Sequence, residues 1–132
     1  MVYTQKFQLS IRDINYANHM DHLALLNYLH ETRVRFLREH GYSELDVDGN
    51  GSGLVVVNLQ CSYRKECFYG DLLTVNMTLQ VLSPTKLQFK YQIYNNDVLS
   101  AESEILVVFL NKNKKIIPIP EYLINIATMN IV

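Results

Sequence analysis

One long amphipathic helix, predicted for residues 22–40, is the feature that most constrains how this 132-residue chain folds. Its apolar residues recur at steps of three and four, which places them in a single stripe along the helix. Asp21 is suited to cap the first turn, and Gly41 to end the helix. The rest of the chain has mostly strand-like patterns, so the stripe needs a sheet to lie on.

Strands are predicted before and after this helix, from alternating apolar residues at 3–11 and 72–82 and from a high content of valine and leucine at 54–63. One precedes the helix at residues 3–11. The others follow it, separated by turn sequences, at 54–63, 72–82, 87–94, 98–110 and 116–119. A weak helix is predicted for 121–132. Long antiparallel strands joined by hairpins can curl around a helix, which predicts an α+β fold with a curved antiparallel sheet wrapped around one long central helix. We expect a single domain over 1–132, because two cores would each be too small.

Composition excludes several classes of protein. A net charge of −1 argues against nucleic-acid binding, which needs a basic excess. No run of 18 apolar residues is present, so we expect no membrane span. On one strand Cys61 and Cys67 would lie about 20 Å apart, too far for a disulfide. Two free thiols, together with a start that lacks a signal-peptide core, predict a cytoplasmic location.

Groups capable of acid–base chemistry are concentrated where the first strand meets the helix, in residues 13–21 (Asp-Ile-Asn-Tyr-Ala-Asn-His-Met-Asp). Such a density of polar groups is costly to bury and is rarely required for folding. The sequence therefore predicts the functional site here. His19 and His22 have the spacing of metal ligands, but no cysteine or pair of carboxylates nearby completes a set. We expect neither a metal nor another cofactor.

Three segments resemble the hotdog-fold acyl-CoA thioesterases of the 4-hydroxybenzoyl-CoA thioesterase type. Residues 13–22 match the acidic turn and the Gly-His-Val-Asn-Asn element of that family. Residues 28–37 (Tyr-Leu-His-Glu-Thr-Arg-Val-Arg-Phe-Leu) match its helix with Tyr-Leu and Glu-x-x-Arg or Glu-Ala-Arg elements, and 63–71 match a strand that ends in a Gly-Asp turn. Each segment alone is weak evidence for the family. The three together, in the right order and spread between about residues 7 and 118, imply the hotdog fold.

The resemblance implies hydrolysis of acyl-CoA thioesters and identifies candidate catalytic residues. The catalytic carboxylate of the family lies four residues before the histidine, where this chain has Asn15. An amide cannot take a proton, but it can position a water or bind the thioester carbonyl. The base would then be His19, Glu31 of the same or a partner chain, or Asp13 or Asp21.

Each of these residues also has a purely structural interpretation. Asn15 is suited to a local turn and Asp13 to capping the end of the strand, while Asp21 is a helix cap. His19 could bond only to backbone, and Glu31 could pair with Arg33 or Arg35.

Further roles follow from the same resemblance. Arg64 and Lys65 would hold the phosphates of CoA, unless they are a solvated basic pair. A backbone N–H of Gly49, Gly51 or Gly53 would stabilise the oxyanion, unless these glycines only make a loop flexible. An unpaired edge strand implies a homodimer or a dimer of dimers, with the acyl chain lying along the helix between subunits.

Two other functions remain open from the sequence. A hotdog module that binds acyl-CoA or an acyl carrier without turnover is supported by Asn15 in place of a carboxylate. A hydratase of the same fold would carry Asp-x-Asn-Pro-x-His. Here the spacing from Asp13 to His19 is six residues and Tyr16 replaces the proline, which disfavours this alternative.

Overall fold

The protein is an antiparallel sheet with two helices in a computed structural model that describes residues 2–129. In chain order the elements are β1 (Tyr3–Gln8), a 3-10 turn (Ile11–Asp13), α1 (His22–Glu39), β2 (Gly53–Tyr63), β3 (Leu72–Ser83), β4 (Lys86–Asn95), β5 (Val98–Leu110), β6 (Ile116–Ile117) and α2 (Glu121–Thr128). Within the sheet the strands follow the order β1-β3-β4-β5-β2, with β6 paired to one end of β5.

Helix α1 lies against the inner face of this sheet. Four of the five residues of its apolar stripe are fully buried, and Leu26 is partly buried. The four are Leu25, Leu29, Phe36 and Leu37. Alternate residues of β3, β4 and β5 meet them from the sheet, and Phe89 packs edge-on against Phe36 with ring centroids 6.4 Å apart. The predicted α+β hotdog arrangement, a curved sheet around one long helix, is therefore confirmed.

The ends of α1 follow local signals. Asp21 caps the helix, since its carboxylate accepts a hydrogen bond from Leu23 N at 3.0 Å. The helix ends at Glu39 with His40 as its C-cap, and Gly41 takes the left-handed conformation (φ +85°) that glycine adopts without strain. The predicted boundaries of 22–40 are thus correct to one residue.

The first strand is shorter than predicted. It ends at Gln8, and Ile11 is 73% exposed instead of continuing the apolar face. The cause is a competing local structure, because the backbone N–H of Ser10 donates to the Asp13 carboxylate at 2.8 Å and turns the chain.

The C-terminal part also differs in detail from its prediction. Strand β6 covers only two of the residues predicted at 116–119. The predicted terminal helix forms as α2, and residues 130–132 of that prediction lie outside the described part of the chain. Cys61 and Cys67 are free thiols. Across residues 2–129, no helix combines the length and the apolar character needed to cross a bilayer.

Strand β2 forms one edge of the sheet and pairs only with β5 in the described residues. Four apolar side chains on it are more than a third exposed: Val55, Val56, Val57 and Leu59. The pairing register with β5 shifts between Val56 and Asn58, so Val57 forms a bulge. An exposed apolar edge of this kind favours contact with another chain.

A buried ion pair joins α1 to the segment that leads into β2. The Arg33 side chain is only 6% exposed, and its Nε donates to Glu44 Oε2 at 2.5 Å. The second carboxylate oxygen of Glu44 lies 2.6 Å from His30 Nε2, and the Glu44 carbonyl accepts from Leu54 N at 2.8 Å. Burial alone would raise the pKa of Glu44, but Arg33 and His30 outweigh it and lower that pKa.

We expect Glu44→Gln to reduce the free energy of unfolding at neutral pH by about 3 kcal/mol, because it leaves the Arg33 charge buried without a partner. The lowered pKa of Glu44 means that its contribution is complete above the ordinary carboxyl pKa and is lost as pH falls through the folded-state value. Urea unfolding at pH 7 and at progressively lower pH should therefore show the gap between parent and variant closing. Glu31→Gln, which removes an exposed pair, is the control and should cost less than about 0.5 kcal/mol. A gap that stays constant with pH would mean that the Glu44 charge does not stabilise the fold through Arg33.

Candidate active site

Residues 14–20 form a tight loop between the 3-10 turn and α1. Its two ends meet at a bridge between Ile14 and Met20, and Asn15 N donates to His19 O at 3.1 Å. Asn18 reverses the chain in the left-handed conformation (φ +67°), which asparagine tolerates better than most residues. The loop therefore fixes Asn15 and His19 directly across from one another.

A groove of about 350 Å³ opens beside this loop. One wall is the loop and the start of α1, and the other is the end of β2 with the chain that follows it. The structure brings four of the predicted site residues together here, Asn15, His19, Arg64 and Lys65. The remaining lining residues are Met20, His22, Tyr63, Glu66 and Cys67.

Asn15 presents a donor to this groove. Its Oδ1 accepts a hydrogen bond from Ala17 N at 2.9 Å, which is the local turn expected of asparagine. Its Nδ2 has no hydrogen-bond partner among residues 2–129. An amide N–H of this kind can bind a carbonyl oxygen or a water.

His19 lines the groove and is chemically able to accept a proton. The side chain is half-buried, and its Nδ1 lies 3.4 Å from the carbonyl oxygen of Met20. That contact favours the tautomer with hydrogen on Nδ1, which leaves the lone pair of Nε2 available. Neutral imidazole in this state can act as a general base.

Tyr63 and Cys67 line the groove, although the sequence did not identify them as site residues. The Tyr63 hydroxyl donates to His22 O at 3.2 Å and so connects the end of β2 to the first residue of α1. Cys67 O accepts from Met20 N at 2.7 Å. Burial raises the pKa of the Cys67 thiol, which makes it a poor nucleophile. The sequence signals for Tyr63 were its place next to Arg64 and at the start of the segment 63–71.

The two basic residues of the groove are not equivalent. Arg64 pairs with Glu102, with Nε 3.0 Å from Oε2, so the positive charge of Arg64 already has a carboxylate partner. Lys65 has no carboxylate within salt-bridge distance in the described part of the chain. Lys65 is therefore the cation that is free to meet an anionic ligand.

Asp13 and Glu31 lie outside the groove. The Asp13 carboxylate accepts hydrogen bonds from Ser10 and from the Tyr28 hydroxyl. Glu31 is exposed on α1 and pairs with Arg35 at 2.9 Å. The structure thus gives both carboxylates the structural contacts that the sequence allowed as alternatives, and neither touches the groove of its own chain.

The glycine-rich loop lies at the other end of β2. Gly53 begins this strand and Tyr63 ends it, a separation of about 33 Å for 11 extended residues. The backbone N–H groups of Gly49 and Gly51 both donate to Asp46 Oδ1 at 2.9 Å. Within one chain, these glycines therefore cannot contribute an oxyanion donor to the groove.

A model of the family described as the thioesterase-like superfamily matches residues 9–125. The chain belongs to the thioesterase-like superfamily. This membership supports thioester hydrolysis as the activity at the level of the family. No group of three or more His, Cys, Asp or Glu residues within 2–129 is arranged to hold a metal ion.

Individual relatives agree with this assignment. A protein from Aquifex aeolicus (strain VF5) named "Putative esterase" is 28% identical over 125 residues, which are 95% of each chain. Among solved structures, a 1,4-dihydroxy-2-naphthoyl-CoA thioesterase from Synechocystis is 20% identical and superposes with a TM-score of 0.86 over 96% of both chains. A Staphylococcus aureus protein in complex with CoA is 18% identical, with a TM-score of 0.86 over 98% of this chain and 83% of the other. At sequence identities of 20% and 18%, these two structures show that the chain shares their fold.

We expect the conformation of Asn18 to control the stability of the loop. Asn18→Val should lower the free energy of unfolding by about 1–2 kcal/mol, because a β-branched residue is strained in the left-handed region. Asn18→Gly should match or exceed the parent, since glycine adopts this conformation freely. Urea unfolding of the three proteins measures the difference. Equal stability of the valine and glycine variants would contradict the loop geometry.

Proposed function

We propose that the protein hydrolyses acyl-CoA thioesters to free CoA and a carboxylic acid. The observation that carries this proposal is that His19 and Asn15, each with a side-chain nitrogen not used in a hydrogen bond within residues 2–129, line one groove of a thioesterase-superfamily fold. Lys65 at the same groove favours an anionic carrier such as CoA. The CoA complex of the S. aureus relative is consistent with this choice.

His19 and Asn15 suit the two halves of thioester hydrolysis. A water attacks the carbonyl carbon while His19 Nε2 takes its proton, and the carbonyl electrons move to oxygen. Asn15 Nδ2 donates to this oxyanion, a contact of a kind worth roughly 3 kcal/mol in the barrier. The oxyanion then re-forms the carbonyl, the C–S bond breaks, and the leaving thiolate takes the proton from the His19 imidazolium.

A second subunit would complete the site. Pairing of two β2 edges in antiparallel fashion about a two-fold axis would cover the exposed valines and satisfy the free backbone groups. The same pairing brings the start of one β2 strand beside the end of the other. Gly53 and the loop before it would then lie next to Tyr63 of the other chain. The N–H groups of Gly49 and Gly51 would have to leave Asp46 Oδ1 before they could serve the oxyanion. Glu31 is the alternative base, supplied across the same interface.

The hydrolase proposal is tested with a panel of acyl-CoA esters of increasing length, using released thiol as the readout. The parent should turn over at least one ester. His19→Gln should lower kcat by about 10²- to 10⁴-fold, since it removes the proton acceptor. Asn15→Ala should lower kcat by about 10²-fold through loss of an oxyanion donor. Glu31→Gln is the matched comparison. If it lowers kcat more than His19→Gln does, Glu31 is the general base in place of His19.

The second candidate function is binding of an acyl-CoA or acyl carrier without turnover. One observation favours it: Asn15 Oδ1 already accepts a hydrogen bond from Ala17 N. Asn15 can therefore offer a ligand only its Nδ2 hydrogens, which can bind a carbonyl oxygen but cannot take a proton from water. Asn15→Asp separates the two functions, because it restores a carboxylate at the position that the family uses. Thiol release by the variant alone would favour the binding module, and release by the parent would exclude it.

We expect the parent to be a dimer and Val56→Lys to shift it toward the monomer, because lysine places a charge on the apolar edge of β2. Val81→Lys is the control, since Val81 is comparably exposed (37% against 42%) but lies on β3, away from that edge. Light scattering coupled to size exclusion measures the mass at micromolar concentration. A parent that is monomeric, or a dimer unaffected by Val56→Lys, would contradict pairing through β2.

A further inference from the structure

The Asp13 carboxylate is engaged within the protein and does not face the groove. Its Oδ2 accepts from Ser10 N at 2.8 Å, from Ser10 Oγ at 3.2 Å and from the Tyr28 hydroxyl. The two contacts with Ser10 are internal to the 3-10 turn. The contact with Tyr28 alone connects this carboxylate to helix α1 within residues 2–129.

Tyr28 is well held for such a connection. It lies in the second turn of α1, and its ring packs against Phe7 of β1 with centroids 4.6 Å apart. Burial, followed by the hydrogen bond to Asp13, raises the pKa of the Tyr28 phenol. The phenol therefore keeps its proton at neutral pH and acts as the donor to the carboxylate.

Asp13 stands at the start of the loop that carries Asn15 and His19. Its carbonyl accepts from Asp21 N at 2.7 Å, which closes the base of the loop. Beyond Asp21 the chain continues directly into α1. The loop is thus attached to the helix twice, once through the backbone at Asp21 and once through the side chains of Tyr28 and Asp13. Met20 N also holds the far side of the loop to the chain after β2, by donating to Cys67 O at 2.7 Å. Without the Tyr28 contact, the Asp13 side of the loop would be attached to the helix through the backbone alone.

We propose that Tyr28 is a positioning residue of the active site, which acts through Asp13 to hold Asn15 and His19 against the groove. The inference deepens the proposed function and rests on it for its kinetic readout. It also assigns Asp13 to the support of the loop in place of proton transfer.

Tyr28→Phe is the decisive variant, because it keeps the ring against Phe7 and removes only the hydroxyl. We expect kcat toward the best acyl-CoA ester of the panel to fall about 10- to 100-fold with KM changed less than about threefold, as for a misplaced catalytic group. The backbone amides of Asn15, Asn18 and Met20 should exchange hydrogen faster, while those of the central strands should not. Ser10→Ala is the matched control, since it deletes another hydroxyl bonded to the same carboxylate oxygen, and its kcat should stay within about twofold of the parent.

A double-mutant cycle tests whether Tyr28 works through Asp13. If it does, Tyr28→Phe combined with Asp13→Ala should be no slower than Asp13→Ala alone, because the two changes break one link. A Tyr28→Phe variant with unchanged kcat and unchanged amide exchange would overturn the proposal. So would an Asp13→Ala variant that loses more than about 10³-fold while Tyr28→Phe loses nothing, since Asp13 would then be the base. If the parent releases no thiol, the proposed function fails, and the exchange rates of the loop amides alone decide the role of Tyr28.

Discussion

The burial of one helix stripe inside a single sheet is the constraint from which the rest of the structure follows. Because α1 presents its apolar residues over most of its length, the sheet must curve to cover them, and its strands must be long. The curved sheet leaves the first turn of α1 beside the far end of β2, where Tyr63 and His22 meet. The polar loop that precedes the helix is therefore brought to the wall of a groove. The position of the candidate site is a consequence of how the core is covered.

Much of this architecture could be predicted because its signals are local. Asp21 and Gly41 mark the ends of the helix, and turn sequences separate the apolar segments that form the four long strands after it. The error at the first strand also has a local cause, since Ser10 and Asp13 form a capped turn that outweighs the apolar pattern of Ile11. The site residues Asn15 and His19 were predicted together because they are close in sequence, and a short loop keeps them close in space.

Other properties of the site depend on residues far apart in the chain, and no sequence pattern predicts them. Arg64 is compensated by Glu102, which is 38 residues away and becomes its neighbour only through the pairing of β2 with β5. The glycine loop looked suited to the groove, but the length of β2 places it at the opposite end. From the sequence, Asp13 was as capable of acid–base chemistry as the other carboxylate of the junction. The structural contact that we propose as its role is made with Tyr28, which lies 15 residues further along the chain.

The bulge at Val57 has a consequence for solubility. A straight, apolar edge strand is a template to which further copies can add without limit, as in fibrils. An extra residue in the middle of β2 bends the strand and interrupts the even ladder of donors and acceptors. A bent strand of this kind fits a flat, regular stack of strands poorly. The same irregularity that breaks the register with β5 therefore disfavours open-ended addition of strands at this edge.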